Sequence, residues 1–269
     1  MPEFIDLFSH HAALYAQARP HYPPELFDYL AGLCAARSLA WDVGTGNGQA
    51  AVALAAHFER VIATDASAEQ LRHAAPHPRV MYHVATAEDP ALVAANGKVQ
   101  PASVDLVTIA QAIHWMNFDA FYANVRRAVR PGGIIAAWCY TLPRVDGRVD
   151  QLIDRFCYDV VGSCWESRRQ YVEDRLEKIP FPFTEIRSSP RDHPICDRHG
   201  VHSPFACRSD WTLMEYLAYI ESWSAVQKYR RDRGSDPLEL VRHELSRAWG
   251  NAAARRTVWS PIYLRVGRV

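Results

Sequence analysis

The residues with the clearest chemical pattern form a glycine-rich turn at positions 42–48, which reads Asp-Val-Gly-Thr-Gly-Asn-Gly. An apolar run at 39–43 leads into the turn and a helix-forming segment at 49–58 follows it, so the turn joins a predicted strand to a predicted helix. Glycines let the backbone turn tightly and approach a ligand, and the helix N-terminus offers unpaired N–H donors. By itself, such a turn is also compatible with a dinucleotide cofactor or with a turn that binds nothing.

Three residues around the turn narrow this choice. Position 49 is Gln, so the G-x-G-x-x-G spacing of dinucleotide-binding proteins is not met. Asp42 ends the predicted strand, where its charge would repel a pyrophosphate but suit a ligand with an ammonium and a sulfonium group. Asp65 ends the next predicted strand, where a carboxylate can accept hydrogen bonds from ribose hydroxyls. The pattern predicts an adenosine with a cationic tail, bound by Asp42, Gly44, Gly46 and Asp65.

The elements that must position these residues alternate between strand and helix over the first half of the chain. Apolar runs predict strands at 39–43, 60–64, 80–84, 104–110 and 134–138. This alternation indicates βαβ units and a mostly parallel sheet. The second half does not continue this alternation. Its predicted elements are a strand at 183–188, helices at 211–229 and 237–249, and a strand at 258–269.

The composition restricts the classes of partner. The 30 Lys and Arg residues balance the 30 Asp and Glu residues, which argues against nucleic acid or an anionic membrane as a partner. No run of 18 apolar residues indicates a membrane span, and the first residues lack the pattern of a signal peptide, so we expect a cytoplasmic protein. The sequence does not indicate an oligomeric state.

The glycine turn and three later segments resemble the class I S-adenosylmethionine-dependent methyltransferases. Ala87 and Glu88 follow the third strand, where the family contacts adenine, and residues 103–115 look like the family's fourth strand and active-site segment. Residues 129–133, Val-Arg-Pro-Gly-Gly, resemble the turn before its fifth strand. The resemblance covers about residues 1–140. It implies a Rossmann-like α/β sheet with helices on both faces, S-adenosylmethionine as cofactor, and Gln111 and Trp115 as further cofactor contacts.

Within the family, the chain resembles the branch of the trans-aconitate methyltransferases. The matching segments are residues 15–23 (Tyr-Ala-Gln-Ala-Arg-Pro-His-Tyr-Pro), 110–115 (Ala-Gln-Ala-Ile-His-Trp) and, less specifically, 223–229. In such enzymes the N-terminal segment folds over the cofactor as a lid. The resemblance therefore implies a core with lid at 1–140, an inserted helical cap that binds substrate at 141–254, and a returning strand at 255–269.

Several residues of these segments are candidates for the reaction itself. Tyr15 and Arg19 lie in the predicted lid, and Arg19 could pair with a substrate carboxylate, pair with the carboxylate of the cofactor, or remain on the surface. Tyr22 and Trp223 are predicted substrate contacts. His114 follows the fourth strand, where it could take a proton, orient an acceptor or pack over the cofactor.

Two further patterns can be interpreted either as functional or as purely structural. The aromatic residues Trp211, Tyr216, Tyr219 and Trp223 recur near helical spacing, which is typical of core but would also suit the wall of a substrate pocket. Histidines and cysteines at 193–207 include the ligand types of zinc, but the prolines among them disfavour a regular helix and no known ligand pair is present. We interpret this segment as a cap loop and predict no metal.

The sequence thus predicts methyl transfer to a small molecule. A carboxylate is the first choice of acceptor because it needs no base. Two alternatives stay open: a lyase that cyclises the cofactor and releases methylthioadenosine, and a protein that binds S-adenosylmethionine without catalysis.

Overall fold

The computed structural model describes residues 20–186, 195–196, 202–203 and 205–269. The predicted lid residues Tyr15 and Arg19 lie outside the described residues, as does most of the segment at 193–207.

A central sheet of eight strands organises the described part of the chain. Its strands are β1 (Leu39–Val43), β2 (Arg60–Asp65), β3 (Val80–Val84), β4 (Val104–Ala110), β5 (Val129–Tyr140), β6 (Thr184–Glu185), β9 (Phe205–Trp211) and β10 (Arg256–Arg268), while β7 (Ile195–Cys196) and β8 (His202–Ser203) pair separately. The first five strands are parallel in the order β3-β2-β1-β4-β5, and β10 lies antiparallel beside β5. The parallel arrangement brings the carboxyl ends of β1, β2 and β4 to one edge of the sheet.

Helices cover both faces of the sheet, which is why β1 is buried along its whole length. These helices are α1 (Pro24–Gly32), α2 (Gln49–Leu54), α3 (Ala68–Arg72) and α4 (Phe118–Ala128). Successive strand residues point to opposite faces, so Trp41 packs in the cluster under α4 and Ala40 in the cluster under α1 and α2.

The region between β5 and β10 contributes five helices among the described residues: α5 (Gly147–Arg155), α6 (Gln170–Glu173), α7 (Leu213–Glu221), α8 (Ser224–Arg233) and α9 (Glu239–Trp249). Helices α5, α7, α8 and α9 pack around a hydrophobic cluster of their own, whose members include Phe156, Tyr216 and Leu245. We call this unit, residues 142–165 and 211–249, the cap. None of the described helices is long and apolar enough to cross a membrane.

The structure corrects two details of the predicted second half. The predicted helix at 211–229 is wrong at its start and in its middle, because Trp211 ends β9 and the chain is extended at Trp223, between α7 and α8. Helix α7 begins instead at a capping box formed by Thr212 and Glu215. The strand predicted at 183–188 corresponds to β6, but β9 was not predicted, and both strands pair with the long strand β10.

Candidate functional site

The glycine turn folds against the segment that follows β4. Gly44, Gly46 and Gly48 all have left-handed backbone angles, with φ of 65°, 56° and 81°. A Cβ atom added at Gly44 would lie 2.6 Å from the Cβ of Ala112, and one added at Gly48 would collide with the hydroxyl group of Tyr82. The turn therefore needs glycine for conformation and for space, and it lies in contact with the residues that open the active-site segment.

Asp42 lies beneath this turn, where it is almost fully buried. Its two carboxylate oxygens accept hydrogen bonds from the hydroxyl groups of Thr45 and Thr108, each at 2.6 Å. Burial raises the pKa of Asp42 to about 6, and the neighbouring charge of Asp65 adds to this effect. Neither threonine was predicted as a partner of Asp42, although Thr108 is its register partner on the adjacent strand.

Asp65 stands at the carboxyl end of β2 and holds two loops together. Its Oδ2 accepts a hydrogen bond from the backbone N–H of Gly46, and its Oδ1 accepts one from that of Ser67, both at 2.8 Å. Among the described residues, the side-chain partners of Asp42 are the hydroxyl groups of Thr45 and Thr108 and not cationic groups. Two neighbouring carboxylates beside a glycine turn fit a ligand that carries positive charge, as S-adenosylmethionine does.

The residues predicted to contact adenine are held in place by α4 and by the residue that caps it. The carbonyl oxygen of Ala87 accepts a hydrogen bond from Asn124 Nδ2 at 2.8 Å. Glu88 Oε1 accepts one from the backbone N–H of Asn117, the residue that caps α4, at 2.9 Å. Contact of Ala87 and Glu88 with the cofactor stays a prediction.

Gln111 marks the point where β4 ends and the active-site segment begins. It has φ of 56°, a left-handed conformation that a residue with a side chain rarely adopts. Its backbone N–H donates to the carbonyl oxygen of Trp138 at 2.9 Å, and its Nε2 donates to that of Tyr140 at 3.0 Å. Strained residues of this kind concentrate at functional sites because the surrounding structure must hold them in place.

A cavity lies between the carboxyl ends of β4 and β5 and the cap. Its lining consists of Gln111, His114, Trp115, Tyr140, Thr141, Leu142, Trp165, Glu166, Arg169, Val172, Tyr219, Trp223 and Ser224. The predicted residues Gln111, His114, Trp115 and Trp223 are thus brought together. Tyr22 stands beside the cavity, with its ring centroid 6.2 Å from that of Tyr140. The aromatic residues that recur near helical spacing do not share one environment. Tyr219 and Trp223 line the cavity, whereas Tyr216 is buried in the cap cluster.

His114 lies in a short 3₁₀ turn, Ile113–Trp115, and is 6% exposed. Its Nδ1 forms no hydrogen bond within the part of the chain that the structure describes. Burial, followed by the positive charges of Arg169 and Arg168, lowers its pKa to about 3. The imidazole is therefore neutral at physiological pH and a weak base, although it can still donate or accept a hydrogen bond.

Two residues on the cap side of the cavity, Trp165 and Arg169, were not among the predicted site residues. Trp165 Nε1 donates to the carbonyl oxygen of Cys157, which lies in a π-helical turn at Phe156–Val160, at 3.1 Å. The guanidinium group of Arg169 stacks 3.7 Å from the centre of the Trp165 ring and forms a 2.7 Å ion pair with Glu173. The only signal in the sequence was the richness of this region in arginine and aromatic residues.

Comparison with known proteins identifies the class to which this fold and site belong. The family model described as "Methyltransferase domain" matches residues 41–137. A solved structure assigned as a type II methyltransferase, from Anaeromyxobacter dehalogenans, is 40% identical, with 93% of this chain and 97% of that chain covered and a TM-score of 0.80.

Two curated relatives extend the likeness over most of the chain. A methyltransferase of Pestalotiopsis fici is 31% identical, covering 93% of this chain and 90% of its own length. A methyltransferase of Aspergillus candidus is 30% identical, covering 72% and 68%. The chain belongs to the class I S-adenosylmethionine-dependent methyltransferases. This membership confirms the predicted fold class, enzyme class and cofactor.

Proposed function

We propose that this enzyme methylates a small organic acid on a carboxylate oxygen, with the acceptor held in the cavity beneath the cap. The observation that carries the proposal is the state of His114, for which taking a proton is one of the three roles that the sequence leaves open. Its pKa of about 3 makes it a poor base at neutral pH. A carboxylate acceptor is ionised at that pH and needs no base.

The residues around the cavity have distinct tasks in this proposal. S-adenosylmethionine supplies a methyl group on a sulfonium, which is a strong leaving group. Asp42, Asp65 and the glycine turn would hold its charged and ribose parts, and Ala87, Glu88 and Trp115 would contact its adenosine. Their shared task is to place the cofactor beside the cavity, and residues at the cavity then need only align the acceptor.

Residues of both walls of the cavity would bind the acceptor. Gln111 and His114 offer hydrogen bonds from the sheet side. Arg169, which also pairs with Glu173, adds a positive charge that suits a carboxylate, and the rings of Trp165 and Trp223 suit a flat organic body. The cap residues that line the cavity reduce the access of water to the reacting atoms.

The finer family assignment and the domain division belong to the same proposal. The likeness of residues 15–23 and 110–115 to the trans-aconitate methyltransferase-like branch supports an acidic acceptor. It also supports a lid with Tyr15 and Arg19 acting on substrate, beside Tyr22. We propose the division into a core at 1–140, a substrate-binding region at 141–254 and a returning strand at 255–269.

A panel of candidate acceptors tests the proposal. The protein is incubated with S-adenosylmethionine and either carboxylic acids or matched alcohols, phenols and amines, and products are identified by mass spectrometry. We expect products one methylene unit heavier from the carboxylic acids, and mild alkali should cleave them to methanol and the parent acid. Alkali-resistant ethers or N-methyl products would contradict carboxylate methylation while leaving methyl transfer intact.

A further inference from the structure

An arginine of the cap side contacts the backbone of the turn that carries His114. Arg168 Nη1 donates hydrogen bonds to the carbonyl oxygen of His114 at 3.0 Å and to that of Met116 at 3.1 Å. Arg168 lies in a second 3₁₀ turn, Ser167–Arg169, just after Trp165 and Glu166 in the cavity wall. One guanidinium group therefore bridges the two walls of the cavity.

The carbonyl groups of His114 and Met116 need a hydrogen-bond donor from outside the turn. Within the His114 turn, the N–H groups of Trp115 and Met116 bond to the carbonyl oxygens of Ala112 and Ile113. The carbonyl oxygen of His114 comes later and is one of the groups that a short helical turn leaves without a partner inside the turn, while Met116 follows the turn in an extended conformation. Arg168 provides a charge-assisted hydrogen bond to both, which is stronger than a neutral one.

Among the described residues, the guanidinium group of Arg168 donates its hydrogen bonds to these two carbonyl oxygens. Arg168 has no carboxylate partner among the described residues, whereas Arg155 of the cap donates from Nη2 to both carboxylate oxygens of Glu244, each at 2.9 Å. The hydrogen bonds of Arg168 therefore go to the backbone at and just after the His114 turn.

The His114 ring depends on this backbone for its position. Its Nδ1 is buried and makes no hydrogen bond to a described residue, and its ring contacts that of Trp115, a member of the same turn, at 4.8 Å between centroids. Because no described residue fixes the ring by a hydrogen bond to Nδ1, a shift of the turn would move His114 and Trp115 together.

We propose that Arg168 is a positioning residue for methyl transfer: it ties the cap-side wall of the cavity to the His114 turn and so fixes the spacing between the two walls. This inference rests on the proposed function in one respect, that the cavity holds the acceptor. Arg168 itself acts through the backbone of the His114 turn and is not placed against the acceptor.

The first test needs no acceptor. Full-length wild type, Arg168→Met and Arg168→Lys are compared with Arg155→Met, which removes an arginine from the cap without touching the cavity. We expect Arg168→Met to speed hydrogen exchange at the backbone amides of Trp115 and Met116 and to move the imidazole ¹⁵N signals of His114. Arg168→Lys should restore part of both effects, and Arg155→Met should cause neither. Unchanged exchange and ¹⁵N signals in Arg168→Met would overturn the proposal.

The second test separates positioning from general loosening. Affinity for S-adenosylhomocysteine is measured by calorimetry, and turnover is measured with any acceptor that the panel identifies. We expect Arg168→Met to keep its cofactor affinity while kcat falls by about tenfold or more, as misplacement of reacting groups does. A parallel loss of cofactor affinity and kcat would contradict a positioning role. If the panel identifies no acceptor, the exchange experiment and the calorimetry still decide the proposal, so its failure and that of carboxylate methylation are distinguishable.

Discussion

At the scale of single residues, Asp42 shows a conflict between stability and ligand binding. A buried carboxylate with a pKa of about 6, against an ordinary value of 3.8, binds its proton more tightly in the folded than in the unfolded chain. Its contribution to the free energy of unfolding therefore decreases as the pH rises from about 4 to about 6, and the loss persists at neutral pH. The hydroxyl groups of Thr45 and Thr108 offset part of this cost.

We predict that Asp42→Asn stabilises the free protein at pH 8 and weakens its affinity for S-adenosylmethionine. The amide removes the buried charge, which is worth on the order of 1–3 kcal/mol of unfolding free energy. It also removes a negative charge that favours a cationic ligand. Thermal unfolding at pH 4 and pH 8 together with calorimetry checks both effects. The stabilisation should shrink at pH 4, and a variant less stable than wild type at pH 8 would show that Asp42 serves structure more than binding.

At the scale of elements, the glycine turn is coupled to the active-site segment by a close contact. A substitution at Gly44 would place a Cβ 2.6 Å from that of Ala112, whereas one at Gly132, with φ of 78°, meets nothing within 4 Å. Both glycines are left-handed, so the backbone cost of alanine is of the same kind at each. Only Gly44→Ala would also push the turn away from the residues before His114.

We predict that Gly44→Ala and Gly132→Ala each lose roughly 1 kcal/mol of unfolding free energy from backbone strain. Gly44→Ala should in addition lose most of its affinity for S-adenosylhomocysteine, and Gly132→Ala should keep it. Chemical unfolding and calorimetry on the two variants make a matched comparison. Equal affinity in both would mean that the contact between the turn and Ala112 is not needed for cofactor binding.

The sequence predicted the elements that lie close along the chain better than those that assemble from distant parts. The strands β1, β2 and β4 and the glycine turn were accessible because each of these strands is a largely apolar, buried run that a helical segment follows along the chain. The wall made by Trp165 and Arg169 was not accessible, because the π-helical turn that orients Trp165 through Cys157 leaves no periodic pattern. Strand β9 was missed because its stability comes from pairing with β10, about 50 residues later in the chain.

At the scale of the whole molecule, the cap forms one wall of a second compartment next to the cofactor loop. Gly44 contacts Ala112, and two residues later His114 lines the cavity, so the two compartments share one short segment. An enzyme that only cyclises its cofactor has no need of a separate cavity lined by an arginine and several aromatic rings. The arrangement is the one expected of an enzyme with two substrates.

We predict that the two-substrate character appears in the products. With S-adenosylmethionine alone, the enzyme should turn over very slowly, because water is a poor acceptor and the cavity gives it no catalytic base in His114. With a suitable acceptor, S-adenosylhomocysteine should accumulate in equal amounts with the methylated product. Chromatography of the nucleoside products distinguishes this outcome from cyclisation, which consumes the cofactor without an acceptor and releases methylthioadenosine. Trp223→Ala, which opens the cavity wall, should slow acceptor-dependent turnover and leave affinity for S-adenosylhomocysteine intact. Rapid acceptor-independent release of methylthioadenosine by the wild type would overturn the assignment of a methyl acceptor to this cavity.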